Sequence, residues 1–215
     1  MTLNKDKSPS IFKRWKGVVK NGLFLFGLRN RLALIGLNIN PYYWEHEEVD
    51  RCDVPEIKNH TSEFVLKPLG LNEVELITNH LPQVEKNKIF KSFEKGQQCM
   101  GLENNGEIAC YSFIELNDFE YNNKVFKLKS NEAYLLNMWT FHNYRGRNLA
   151  PYLRYQVYRY LEKQGVTVKY SISQYFNKSS IKFKKKLNSK HRYLILNIVL
   201  FSKIKWNFTL KKYDI

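Results

Sequence analysis

The period of the apolar positions changes several times along the chain, and each change marks an element. Ile11, Phe12, Trp15, Val18 and Val19 recur at helical spacing with Lys13, Arg14, Lys16 and Lys20 between them. The first forty residues therefore predict one or two basic amphipathic helices. Residues 38–53 contain Pro41 and the acidic run Glu45, Glu47, Glu48 and Asp50, which predicts a connection between this arm and a core. From residue 62 the pattern becomes regular. A strand over 63–66 leads through Pro68 and Gly70 to helices over 72–81 and 84–95. Strands over 97–104 and 107–116 flank Asn105-Gly106, a strong hairpin signal. An edge hairpin follows over 119–128, with Asn122-Asn123 at its tip. Next come a strand over 132–140, a helix over 147–164 stopped by Gly165, and a strand over 167–173. A basic helix over 178–187 and strands over 193–201 and 206–212 complete the order. The alternation predicts an α/β domain over 61–215, preceded by a basic helical arm and connection over 1–60.

Composition agrees with one folded domain: 215 residues, 43% hydrophobic and 26% charged, are globular values. The formal net charge of +15 is unevenly spread. Residues 1–40 carry eight Lys/Arg against one acid, residues 41–120 seven against sixteen, and residues 121–215 twenty against three. So basic a C-terminal half suits an anionic partner, whether nucleic acid, anionic lipid or a phosphorylated small molecule, or else a plain solvated basic surface. The basic residues fall into no known nucleic-acid motif, which argues against nucleic acid. Cys52, Cys99 and Cys110 form no CxxC pair and lack histidines at zinc spacing, so no metal and a reducing, cytoplasmic setting are expected. No secretory signal is visible. The apolar stretch at 22–37 is broken by Arg29 and Arg31 and is too short to cross a bilayer.

The segment 132–165 carries the strongest chemical signal. A strand ends at Thr140, a short loop follows, and Arg145-Gly146-Arg147-Asn148-Leu149-Ala150 opens a helix whose Leu149, Leu153, Val157, Tyr160 and Leu161 share one face. Free N–H groups at a helix start, its positive dipole end and two arginines suit a pyrophosphate, and Gly146 lets the backbone approach it. A sulfate or a nucleic-acid phosphate would suit the same turn.

This turn resembles the coenzyme A motif Q/R-x-x-G-x-G/A of the GNAT acyltransferases, with Asn148 standing at the middle glycine. A second resemblance lies where that family has it. Asn177, Ser180, Phe183, Lys186 and Leu187 follow N-x-x-S-x-x-Y/F-x-x-K-x-G, with Asn188 in place of glycine. Together the two motifs make the region from residue 62 to the C-terminus similar to a GNAT domain. The resemblance implies a mixed central sheet with splayed fourth and fifth strands flanked by helices. It also implies direct transfer from an acyl-CoA, acetyl-CoA or 3-hydroxybutanoyl-CoA, to an amine. The backbone of Met138, Trp139 and Thr140 would hold the pantetheine, and the two motifs the remainder of the coenzyme. Glu132 and Tyr134 on the fourth strand and His142 beyond it are the candidate bases, with a water-mediated base as the alternative. Phe183 stands where the family often has a thiolate-protonating tyrosine, leaving Tyr175, Ser173 or water for that role. The basic arm and the extra hairpin resemble GNAT enzymes of bacterial surface-polysaccharide pathways, which implies a dTDP-linked amino sugar as acceptor, with Tyr42, Tyr43 and Trp44 available to stack on its base. A protein, lipid or other small-amine acceptor, a peripheral membrane contact through the arm, a homodimer and a non-catalytic nucleic-acid module are the alternatives.

Overall fold

A computed structural model of the chain describes residues 24–59, 63–79 and 81–214. The helix read from Ile11 to Val19 lies outside the described residues. The described chain begins with α1 (Phe24–Leu34) and β1 (Leu37–Glu47). These are followed by β2 (Val65–Leu69), α2 (Leu71–Thr78), α3 (Gln83–Glu94), β3 (Gln98–Asn104) and β4 (Glu107–Glu115). The hairpin β5 (Phe119–Tyr121) and β6 (Lys124–Phe126) precedes β7 (Glu132–Thr140) and a 3-10 turn at His142–Tyr144. Then come α4 (Leu149–Glu162), β8 (Val168–Gln174), α5 (Lys178–Lys185), β9 (Lys190–Leu200) and β10 (Ile204–Lys212).

Eight strands form one mixed sheet in the order β10-β9-β1-β8-β7-β4-β3-β2, with β5-β6 as a separate ribbon. Only β7 and β8 run parallel. Helix α4 connects them, as a parallel pair requires. The α/β reading of the domain therefore holds. Strand β2 runs through Pro68 rather than stopping before it, which the sheet edge permits because no further strand needs the missing N–H.

The reading of residues 38–53 as a connection is overturned. Leu37–Glu47 is an inner strand, antiparallel to both β8 and β9. Two features disguised it. Pro41 argues against an inner strand, yet the β8 ladder begins only at Tyr42↔Gln174, and the Pro41 carbonyl accepts from the Tyr175 N–H beyond that ladder, at 3.0 Å. Since N–H and C=O of one strand residue point to the same side, proline's missing donor faces β8 past the end of pairing and removes nothing from β9. The acids, which read as a solvated loop, are buried. Glu45 and Glu47 are 1% and 0% exposed.

Their charge is met by cations from the basic half. Lys184 of α5 lies 2.7 Å from Glu45 and also donates to the hydroxyls of Ser171 and Ser173 at 2.7 and 2.9 Å. Arg154 of α4 stands 3.5 Å from Glu47, Tyr158 donates to the same carboxylate, and Lys169 and Arg159 hold Glu48. Burial pushes the Glu45 carboxyl up, but the His191 ring 3.1 Å away and the Lys184 charge outweigh it and leave the group below its ordinary value. Burial holds the Lys184 ammonium below its ordinary value despite both glutamates.

Around this layer lie three apolar clusters. On one face Leu149, Leu153, Val157 and Leu161 of α4 pack on Leu102, Cys110, Ala133 and Leu135, each leucine or valine contributing about 1.5–3 kcal/mol. Tyr158 is fully buried there and Tyr160 only partly, so the helix is rotated slightly from the face expected. On the other face α2 and α3 cover Tyr111 and Phe113, and the β5-β6 ribbon covers Tyr42, Trp44, Tyr134 and Tyr170.

Replacing Lys184 by Ala should strand Glu45 in the interior and cost about 3–5 kcal/mol of unfolding free energy. Urea titration of the variant against the wild type measures it.

Candidate functional site

Gly146 and Asn148 are the residues that shape the predicted cradle. Both adopt left-handed backbone, Gly146 at φ 82° and Asn148 at φ 65°. A Cβ on Gly146 would meet no protein atom within 4 Å, so the turn is open on that side. Asn148 caps α4 with its backbone, leaving the Leu149 and Ala150 N–H groups without intrahelical acceptors, and Pro151 has no N–H to satisfy. Its amide group does further work. Nδ2 donates to the Glu56 carbonyl at 2.8 Å, and Oδ1 accepts from Lys186 at 3.0 Å. The Lys58 N–H donates to the Arg147 carbonyl at 2.9 Å. A cavity of about 320 Å³ results, lined by Thr140, Arg145, Gly146, Ala150, Lys58 and Lys186 among others. The Arg145 guanidinium lies over the Trp139 ring at 5.3 Å and donates to the Thr140 carbonyl at 3.1 Å. Cationic side chains and helix-start N–H groups thus converge on one open space.

Beside this space the two parallel strands part. Pairing of β7 with β8 runs from Glu132↔Val168 to Leu135↔Ser171 and stops. On the β4 side the register shifts between Tyr111 and Phe113, with Asn137 at φ 49°, a bulge that re-aims Met138. From Leu136 to Thr140 the backbone edge toward β8 faces no strand and needs other partners for its polar groups. An extended amide-bearing chain would fill that edge.

The second motif divides between ligand and scaffold. Only Lys186 reaches the cradle. Asn177 caps α5, its Oδ1 accepting from the Ser180 N–H at 3.1 Å. The Ser180 hydroxyl lies 3.4 Å from that of Ser173, and Phe183 sits under the Arg154 guanidinium at 5.9 Å. Asn188, at φ 56°, donates to the carbonyls of Asp50 and Arg51, which a glycine could not do.

The catalytic candidates occupy separate places. Glu132 stands at the closed end of the β7-β8 ladder, accepting from the Lys129 N–H at 3.0 Å. Tyr134 is stacked on Phe119, centroids 4.0 Å apart, and burial raises its hydroxyl well above the ordinary value. Tyr175 is exposed past the end of β8 and stacked on Tyr43. His142 is exposed in the 3-10 turn, and the Ser173 hydroxyl is turned inward to Glu45. Tyr42 and Trp44 are packed in the aromatic cluster rather than presented to a base. The thiols offer no alternative nucleophile: burial and then Glu48 push Cys52 up to about 11, and burial raises Cys99 and Cys110 further. Among the described residues no group of His, Cys, Asp and Glu could hold a metal ion.

No family model and no curated protein matches the sequence. Solved structures do. An acetyltransferase from the GNAT family of Colwellia psychrerythraea superposes with a TM-score of 0.55 at 12% identity, over 76% of this chain and 57% of its own. The fold is that of the GNAT acetyltransferases. A GCN5-related glucosamine N-acetyltransferase region of a fungal multi-domain GH3 β-N-acetylglucosaminidase gives 0.55 at 10% identity, over 86% of this chain and 22% of its own. A tandem GNAT protein from the clavulanic acid biosynthesis pathway gives 0.52 at 15%, over 87% and 60%. The chain therefore spans less than two thirds of these relatives' length.

Within the GNAT fold the sequence missed Lys58 and the stretch 51–58 that crosses the cradle. These residues show no periodicity, and the bonds of Lys58, Asn148 and Asn188 reveal their place. Asn148→Gly should keep the turn and lose two side-chain bonds, whereas Asn148→Val should strain it by about 1–2 kcal/mol beyond that. Thermal unfolding of the two variants separates the contributions.

Proposed function

We propose that the protein is an acyl-CoA-dependent N-acyltransferase whose acceptor is a nucleotide-linked amino sugar, such as a dTDP-3-amino-3,6-dideoxyhexose. The observation that carries the donor assignment is the conjunction of the Arg145–Ala150 cradle with the unpaired β7 edge. One is suited to a pyrophosphate, the other to the amide groups of a pantetheine. Arg145, Lys58 and Lys186 line the cavity and would neutralise the phosphates with Arg147, whose guanidinium lies over Tyr144 beside it, and the Leu149 and Ala150 N–H groups would bind them directly. Met138, Trp139 and Thr140 would pair with the pantetheine as a neighbouring strand does. The bulge at Asn137 supports a backbone N–H near Met138 aimed at the thioester carbonyl, where it would stabilise the oxyanion formed as the amine attacks.

On this reading the amine displaces the thiolate in one ternary complex, and most of the acceleration comes from holding amine and thioester together. A water relay takes the amine's proton, in keeping with the closed-end position of Glu132 and the burial of Tyr134. The acyl group transferred is acetyl or 3-hydroxybutanoyl, and the setting cytoplasmic. A basic C-terminal half favours an anionic acceptor, although four of its cations are already matched to Glu45, Glu47 and Glu48. The glucosamine acetyltransferase region among the fold neighbours supports an amino sugar in the same fold.

Arg145→Glu should weaken coenzyme A binding by at least about tenfold, since a carboxylate then faces the pyrophosphate; unchanged affinity in calorimetry would displace the cradle. A thermal-shift screen of dTDP-amino sugars, polyamines and peptides in the presence of coenzyme A tests the acceptor. Stabilisation by the nucleotide sugars alone is expected, and stabilisation by peptides alone would overturn that assignment.

A further inference from the structure

Strand β10 closes one edge of the sheet, and all nine of its residues are exposed. Its apolar side chains alternate with polar ones: Ile204, Trp206, Phe208 and Leu210 are 50%, 42%, 47% and 55% exposed. By the strand period Ile204, Trp206 and Phe208 share one face. Across the ladder they continue onto Leu200, Ile198 and Leu196 of β9. The same face is bounded by α1, which leaves a groove of about 300 Å³ between Leu25, Leu28 and Leu32 on the helix and Ile39, Leu194 and Leu210 on the sheet. The turn into β10 adds Phe201, 65% exposed. So continuous an apolar face left exposed by the described residues is uncommon on a monomeric soluble protein.

The charge around it selects the occupant. Helix α1, β9 and β10 contain no Asp or Glu, and the only acids of β1, Glu45 and Glu47, are buried at its far end. Arg29 lines the groove, Lys211 stands opposite Leu194 of the same face, and Lys203 lies in the turn into β10. Apolar side chains including a tryptophan, flanked by Arg29, Lys203 and Lys211 with no carboxylate on α1, β9 or β10, match the boundary of an anionic bilayer. Long lysine stems can lie along the apolar surface while their ammonium groups reach phosphates. A second copy fits less well. The antiparallel self-pair that uses the whole of β10, centred on Phe208, sets Lys205 opposite Lys211 twice, with like charges directly across the ladder.

We propose that the α1-β9-β10 face docks on the surface of an anionic phospholipid bilayer, peripherally, since no helix among the described residues is long and apolar enough to cross a membrane. The surface is separate from the cradle and does not depend on which amine is acylated.

Flotation of the full chain with vesicles of phosphatidylcholine alone and of phosphatidylcholine with an equal part of phosphatidylglycerol tests it. Binding to the anionic vesicles, reduced by raised salt and at least about tenfold weaker on the neutral ones, is the expected result. Trp206→Ser combined with Phe208→Ser should lower partition to anionic vesicles by about tenfold or more at an unchanged thermal midpoint, because both side chains are exposed. Arg29→Gln combined with Lys211→Gln should weaken it through the salt-sensitive part alone. Absence of flotation, or wild-type flotation of both double variants, would overturn the proposal. So would a concentration-dependent dimer in sedimentation velocity that the Trp206/Phe208 variant abolishes, which would assign the face to a second copy.

Discussion

The acidic end of β1 must be neutralised inside the protein, and much of the architecture follows from that requirement. Glu45, Glu47 and Glu48 draw Lys184 from α5, Arg154 and Arg159 from α4 and Lys169 from β8 into one buried layer. An uncompensated carboxylate at such depth would cost several kcal/mol, so β1 is tolerated between β8 and β9 only with those elements in place. In turn β9 and β10 reach the rest of the sheet solely through β1. A layer of this kind adds little net stability over well-packed apolar residues of the same shape. What it supplies is register: it fixes α5 over β8, and with α5 the lysine that meets Asn148 at the cradle.

Much of the fold was legible because the informative periods are local. The Asn105-Gly106 hairpin, the helix stopped by Gly165 and the cradle before it each announce themselves within about fifteen residues. Strand β1 was illegible for the opposite reason. Its proline is harmless only because a ladder ends beside it, and its acids are tolerable only because of cations more than a hundred residues away. A pattern reading scores such residues as loop, since it assigns each charge to water. Lys58 was hidden in the same way, as a loop lysine brought to the cradle by a backbone bond to Arg147. Charge bookkeeping misled in a subtler manner: part of the excess in the basic half is spent on the chain's own acids.

The chain uses asparagine where compact turns ordinarily use glycine. Among the described residues seven asparagines adopt positive φ, including Asn137 at the bulge, Asn148 at the cradle and Asn188 after α5. Asparagine reaches this region at lower strain than most residues, though less freely than glycine. At 148 and 188 the side chain bridges to Glu56, Lys186, Asp50 and Arg51, joining the stretch 50–58 to both motifs. Departures from a glycine pattern that look like damage in the sequence are thus cross-links in space.

The insertion of β1 has a temporal consequence. Glu45 and Lys184 are separated by 139 positions, and every ladder pair of β1 joins it to residues beyond 168. A ribosome must therefore release more than a hundred further residues before this strand finds either neighbour. Until then its apolar and acidic positions stay in water, and the hairpin of β9 and β10 has nothing to add to. Contacts between such distant positions lengthen the search for the native state. The capture of β1 accordingly waits for strands made more than a hundred residues after it.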